Sequence, residues 1–271
     1  MELNRHPPAG GVRSRMVHNA RLIRGDSWGT RLQQALGASS LDVSSWMQQH
    51  TRLLKSDVHS RVGLLQLQHQ SCYLKLYRHK SVLQQCLFRL GRGRPVRSFD
   101  VARQLASSAV PLPQPLACLL VPEGMLLLTE GLCDALNLSE LWRRQLVQGI
   151  DSQVLPCAGQ TIAQLHSAGY AHGDCKWHNL LWANDKVYLI DLDGAAPAPV
   201  GGAEQARDLA RFTLNAEELG VDAQLYERFL AAYLQGVGET RQVTIDRMMP
   251  ILHKLRRRHL NKYGERGQHL L

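Results

Sequence analysis

Residues 172–179 read HGDCKWHN, and residues 189–194 read LIDLDG. The first stretch holds two histidines, an aspartate, a lysine, an asparagine and a cysteine, and it admits three chemistries. As a zinc site it would use His172, Asp174 and His178, but that H-x-D-x-x-x-H spacing matches no strong zinc pattern and no further ligand set stands out. As a thiol nucleophile, Cys175 would need His172 or His178 as its base, and nothing nearby orients either ring. Phosphoryl transfer accounts for more of the residues. It needs a carboxylate at the attacking hydroxyl, an amide oxygen and a second carboxylate on magnesium, and a lysine reaching the phosphates from the opposite wall. Asp174, Asn179 five residues on, and Asp191 twelve residues after that fit the first three roles, with Lys176 within reach of the transferred phosphate. Magnesium keeps water and phosphate oxygens for most of its shell, so one Asn and one Asp suffice.

The remaining requirement is met far upstream. RVGLLQLQHQSCYLKLYRHK, residues 61–80, reads as two antiparallel strands joined near His69, Gln70 and Ser71. The alternation of CYLKLY sets Lys75 on the face opposite Leu74 and Leu76. RSFDVARQLASSA has helical spacing and is stopped by Pro111, Pro113 and Pro115, and LACLLV and MLLLTE form a hairpin around Pro122–Gly124. Residues 50–131 thus read β-β-α-β-β, preceded by a short helix over 40–50 that opens at Ser39 or Ser40. From Cys133 the pattern turns helical. SELWRRQLV starts at Ser139 as N-cap, DSQVLPCAGQTIAQLHSAG stops at Gly169, and three helices follow the hairpin LLWA–VYLIDL. The expected architecture is α+β and bilobal. It comprises a basic arm over 1–31, a small antiparallel β-rich N-lobe over 32–131 that covers the nucleotide, and a larger, mainly helical C-lobe over 132–271.

With these elements in order, the chain resembles the protein-kinase-like superfamily. HGDCKWHN matches its catalytic-loop pattern, LIDLDG stands where the metal-binding strand and loop stand, and YLKLY matches the strand of the phosphate-binding lysine. Within the superfamily it is most similar to the lipopolysaccharide kinase (Kdo/WaaP-like) family, through YLKLYRHK, RSFDVARQLASSAVPLPQPLA, HGD and LIDLDGA. The resemblance implies an ATP-dependent phosphotransferase that acts on a heptose or Kdo hydroxyl of the lipopolysaccharide inner core. It places such an enzyme in the cytoplasm, on the inner face of the inner membrane, with an anionic glycolipid as partner. Carried onto this chain, Lys75 binds the α- and β-phosphates, Asp174 is the catalytic base, and Asn179 and Asp191 bind magnesium. His172 shapes the loop, and Asp208 braces it; the bland reading of Asp208 is an exposed acid paired to Arg207 or Arg211.

Several positions depart from the pattern. No G-x-G-x-x-G precedes Lys75, so KSDVHSR (residues 55–61) is the candidate phosphate cover, with Ser56 and Ser60 as its donors. Ser98 stands where a glutamate would pair with Lys75, leaving Asp100 or Glu123 as substitutes. Asp193 takes the glycine position of the metal loop, where it could add a metal ligand. No A-P-E follows, which argues against a protein substrate. A small-molecule kinase of the aminoglycoside or choline type shares the HGD loop, and a pseudokinase regulatory module remains the alternative outside enzymes.

Composition narrows the partners. The 271 residues carry a formal charge of +9 with 44% hydrophobic residues, enough for a substantial core. Basic clusters lie in residues 1–31, in 78–103 and near the C-terminus, which suggests an anionic partner. Aromatic–basic interleaving is lacking, so nucleic acid is not expected. The six cysteines form no C-x-x-C and suit a reducing compartment. Neither a signal peptide nor a spanning helix is expected.

Overall fold

The structure is a computed structural model that describes residues 20–148, 153–264 and 266–271. The chain opens with β1 (Arg21–Arg24), α1 (Ser27–Gly37), α2 (Val43–His50), β2 (Thr51–Ser56), β3 (Ser60–Leu67) and β4 (Gln70–Arg78). There follow α3 (Val82–Arg89), α4 (Arg94–Leu105), β5 (Pro115–Val121) and β6 (Gly124–Glu130). The six strands form one antiparallel sheet in the order β1-β5-β6-β4-β3-β2.

Alternation along β4 sets the site. Cys72, Leu74 and Leu76 are fully buried on one face, in a core with Leu32 and Leu36 of α1 and Val43, Trp46 and Met47 of α2. Burying a leucine is worth about 1.5–3 kcal/mol, and slipping the strand by one residue would turn all three residues out of this core to the face of Lys75. That core therefore fixes Lys75 and Tyr77 on the other face, where Tyr77 packs with Val96 and Phe99 of α4. Lys75 lies between Val62 of β3 and Leu127 of β6.

The C-terminal lobe consists of β7 (Leu136–Asn137), α5 (Leu138–Gln148), α6 (Val154–Ser167), β8 (Tyr170–Ala171), β9 (Leu180–Ala183), β10 (Lys186–Leu189) and β11 (Ala196–Pro197), followed by α7 (Ala203–Glu218), α8 (Ala223–Val237) and α9 (Arg241–Tyr263). Helix α6 buries Ala158, Ile162 and Leu165 at helical spacing and packs on α8. Gly159 permits the close approach, because a Cβ there would sit 2.4 Å from the Phe229 oxygen. Phe212 and Phe229 stack at 4.0 Å, and Trp177, 1% exposed, reaches this core from the loop and donates its indole N–H to the Phe212 oxygen. The β9–β10 hairpin turns through Asn184 and Asp185, both at positive φ, as a tight twisted hairpin requires.

The bilobal α+β architecture read from the sequence is present, with corrections. The arm expected over 1–31 lies outside the described residues up to 19. From Arg21 it is strand β1 and then the start of α1, so the N-lobe sheet takes in residues before 32. Leu22 packs against the core that α1 covers, which outweighs the arginines around it. The β-β-α-β-β reading missed β2 and α3. Asp42, not Ser39 or Ser40, caps α2 by accepting from the Ser45 N–H. Ser139 lies inside α5, and its hydroxyl meets His178 Nδ1 at 3.2 Å.

Candidate active site

Between the lobes lies a cleft of about 780 Å³. Its lining joins apolar Val62, Leu127, Leu181 and Leu189 to polar Lys75, Lys176, Asn179 and Asp191. That combination suits a flat apolar ring at one end and an anion with a cation at the other.

The lower wall is built on Asp208 of α7. This carboxylate is fully buried, not exposed beside Arg207, and it accepts the main-chain N–H of His172 (2.6 Å) and of Gly173 (3.0 Å). Burying it without such donors would cost several kcal/mol. His172, also fully buried, donates from Nε2 to the Ile190 oxygen (3.0 Å) and accepts the Asp174 N–H at Nδ1 (3.3 Å), so the ring ties the loop to the strand end before Asp191. Gly173 has φ of +80°, and a Cβ on it would lie 2.5 Å from the Gly194 oxygen. The two loops thus touch backbone to backbone, and the pairing of β8 with β11 holds them together.

On this frame Asp174 is half-exposed, with Lys176 Nζ at 2.7 Å and Arg211 Nη1 at 3.9 Å. Asn179 is buried and donates through Nδ2 to the Asp174 main-chain oxygen (2.9 Å) and to its Oδ2 (3.2 Å). Its Oδ1 has no donor among the described residues and is left as an acceptor. The Ile190 N–H bonds to the Asn179 oxygen (3.0 Å), which brings Asn179 beside the segment that carries Asp191. Asp191 is left-handed (φ 61°, ψ 55°), a conformation that costs energy for a residue with a Cβ and that aspartate tolerates better than most.

The upper wall supplies Lys75, whose Nζ lies 2.7 Å from Asp191 Oδ1 and 3.4 Å from Asp193 Oδ2, over the Tyr77 ring. Neither acid suggested as its partner is there. Asp100 pairs with Arg24 at 2.9 Å, and Glu123 accepts from the Ser44 N–H and hydroxyl. Asp193 is held in their place: Tyr77 Oη (2.6 Å) and Ser98 Oγ (3.3 Å) donate to its Oδ1, and Arg97 donates to its main-chain oxygen. Burial raises the Asp191 carboxyl, but the charge and hydrogen bond of Lys75 outweigh it and hold Asp191 below the ordinary range. Burial pushes Asp193 up, and the Asp191 charge adds to this against the opposing pull of Lys75. Tyr77 could have been found in the sequence, two residues after Lys75 on the same strand face. Arg97 carried no signal.

The phosphate cover differs most from expectation. Ser60 lines the cleft, but its hydroxyl donates to Asp57 Oδ2 (3.1 Å). Asp57 Oδ1 takes the main-chain N–H of His59 (2.8 Å) and Ser60 (2.7 Å), which lowers its pKa to about 2. Ser56 is exposed, lies outside the lining and accepts from Arg61 Nε (3.2 Å). Two amides of this turn, those of His59 and Ser60, are therefore already bound to a carboxylate.

The competing chemistries fail on geometry. Among the described residues no group of three His, Cys, Asp or Glu could hold a metal ion, and His178 is engaged with Ser139. Cys175 is 1% exposed, and burial drives its thiol well above the usual range, so it is no nucleophile. Asn179 Oδ1 and the Asp191 carboxylate are hard oxygen donors in one cleft, a set that fits magnesium.

A model of the lipopolysaccharide kinase (Kdo/WaaP) family matches residues 44–233, a span that includes both walls of this cleft. The chain belongs to that family. Among curated proteins it is similar to the 3-deoxy-D-manno-octulosonic acid kinase of Vibrio vulnificus, 25% identical over 149 residues, which are 53% of this chain and 62% of that protein. The corresponding kinase of Vibrio parahaemolyticus is 34% identical over 106 residues, 37% of this chain and 43% of that protein. The lipopolysaccharide kinase family member described here thus spans roughly half the length of these curated relatives. Its fold matches the solved structure of WaaP in complex with acyl carrier protein, with a TM-score of 0.57 over 79% of this chain and 89% of that one, at 16% identity. The fold is protein-kinase-like. No described helix is long and apolar enough to cross a membrane.

Proposed function

We propose that this family member transfers the γ-phosphate of ATP to a hydroxyl of an inner-core sugar of lipopolysaccharide, a heptose or Kdo. The observation that carries the reading is the convergence of Lys75, Lys176, Asn179 and Asp191 on one cleft with an apolar wall, with Asp174 held against it by Asn179 and Lys176. In this reading Asp174 accepts the proton of the acceptor hydroxyl as its oxygen bonds to the γ-phosphorus and the bond to ADP breaks. Lys176, now paired to Asp174, turns to the transferred phosphate, and Lys75 holds the phosphates behind it. Bound by Asn179 and Asp191, magnesium would neutralise phosphate charge. The buried Asp208 and His172 keep these groups in register without touching substrate.

The basic surface suits an anionic glycolipid at a membrane face, and binding through the basic clusters would weaken with salt. The structural neighbour was solved with acyl carrier protein, which makes a carrier protein the competing candidate for this chain's basic surfaces. An acceptor panel read by mass spectrometry tests the assignment: a Kdo-bearing lipid, a heptosylated core, choline and an aminoglycoside. A gain of one phosphate on either core acceptor is expected and names the sugar. A gain on choline or the aminoglycoside alone would move the protein to the small-molecule kinases.

A further inference from the structure

The helix α3 is built inside out. Of its residues only Phe88 is buried, packed with Val96, Phe99 and Met125. Val82 is 76% exposed, Leu83 71% and Leu90, at the helix end, 71%; Leu87 is exposed as well. Leu83, Leu87 and Leu90 follow the i, i+4, i+7 spacing, so they form one stripe on the outer side of the helix. Singly exposed leucines are ordinary, but a continuous stripe on a surface helix marks a contact.

The surroundings carry one sign of charge. Residues 78–97 include Arg78, Lys80, Arg89, Arg92, Arg94 and Arg97 and no acid. Among the described residues, Lys80, Arg89, Arg92 and Arg94 are exposed and lie in no ion pair. A second copy of this chain, at +9, would bring like charge to like. An apolar stripe bordered by unpaired cations matches a layer with anionic headgroups above acyl chains.

We propose that α3 and the turn after it dock on an anionic lipid bilayer, with Val82, Leu83, Leu87 and Leu90 entering the headgroup–acyl boundary and Lys80, Arg89, Arg92 and Arg94 meeting lipid phosphates. The position has a consequence for the reaction that rests on the lipopolysaccharide reading. Four residues, Leu90–Gly93, join α3 to α4, whose Arg97 and Ser98 reach Asp193. A bilayer held at α3 would present a lipid-anchored sugar beside the cleft.

The test uses the full chain and vesicles free of lipopolysaccharide and nucleotide, so its outcome does not depend on what the protein phosphorylates. Co-sedimentation is expected with vesicles containing about a third phosphatidylglycerol in phosphatidylcholine, and not with phosphatidylcholine alone. Leu83→Glu combined with Leu90→Glu should reduce partitioning by about tenfold or more. Both positions are exposed, so the thermal melt should not move. As a second readout, a polarity-sensitive label on exposed Cys86, in a chain with Cys133→Ser, should shift to the blue on the anionic vesicles. Binding by the double variant equal to wild type would overturn the proposal, as would a label that ignores the vesicles. A label that shifts with acyl carrier protein and not with vesicles would assign the face to a protein instead.

Discussion

The two walls of the cleft follow different rules. The lower wall presents its charged groups from a frame of short, local contacts: Asp208 on two main-chain amides, His172 between two backbone segments, and Gly173 against Gly194. The upper wall keeps Lys75 and replaces the parts around it. A glycine-free turn is closed on its own Asp57, and Asp193 stands in for the missing glutamate. For the proposed phosphoryl transfer, the difference marks where change is tolerated. Groups at the reacting atoms must sit at fixed positions, whereas a lysine needs only some carboxylate within ion-pair distance.

The largest effect should come from the lower wall. Asp191→Ala removes a proposed magnesium ligand and a partner of Lys75 together, and turnover should fall by more than about 10³-fold, read as magnesium-dependent phosphate transfer. Transfer near wild type in that variant would mean the metal lies elsewhere. The setting of Lys75 should yield less, and in a way that can be repaired. Asp193→Gly should lower kcat/KM by roughly tenfold through loosening of Lys75. Adding Ser98→Glu should recover part of the loss by returning a carboxylate to the helix. No recovery, together with a changed magnesium dependence, would identify Asp193 as a metal ligand rather than a lysine partner. Because Asp193 titrates above the ordinary carboxylate range, acidification protonates it before Asp191. Nucleotide binding should therefore weaken on the acid side in the wild type, and less so in Asp193→Asn.

Contact between the two loops can be probed by stability. Gly173→Ala places a Cβ into the Gly194 carbonyl at positive φ, and should cost about 1–3 kcal/mol, seen as a lower Tm with reduced transfer. An unchanged Tm would show that the loops are free to separate. The smallest effect concerns thiols. Exposed Cys86 and Cys133 should react rapidly with an aromatic disulfide at neutral pH, whereas Cys72 and Cys118, pushed up to about 11 and about 12 by burial, and Cys175 should stay silent until unfolding. Blocking the two exposed thiols should leave transfer intact.

What the sequence disclosed follows the same division. Apart from Asp208 on α7, the lower-wall residues are close in the chain and sit on loops between plainly periodic elements, so their spacing could be read directly. Lys75 was readable because β4 alternates cleanly. The partner of Lys75 was not, since nothing in the spacing says that Asp193 reaches 3.4 Å from a lysine 118 residues away while Asp100 turns to Arg24. Helix α3 escaped because its apolar stripe faces outward and only Phe88 reports burial. Strand β1 escaped because arginines dominate its composition, although Leu22 packs inward. The closing of the turn by Asp57 is a three-dimensional event that the letters KSDVHSR do not announce.

The role of Asp174 is tested by measuring ATP binding and phosphate transfer to an inner-core acceptor on the same samples of wild type and Asp174→Ala. The variant should bind ATP as the wild type does and transfer less by about 10²–10⁴-fold. Equal transfer by the two proteins would contradict that role.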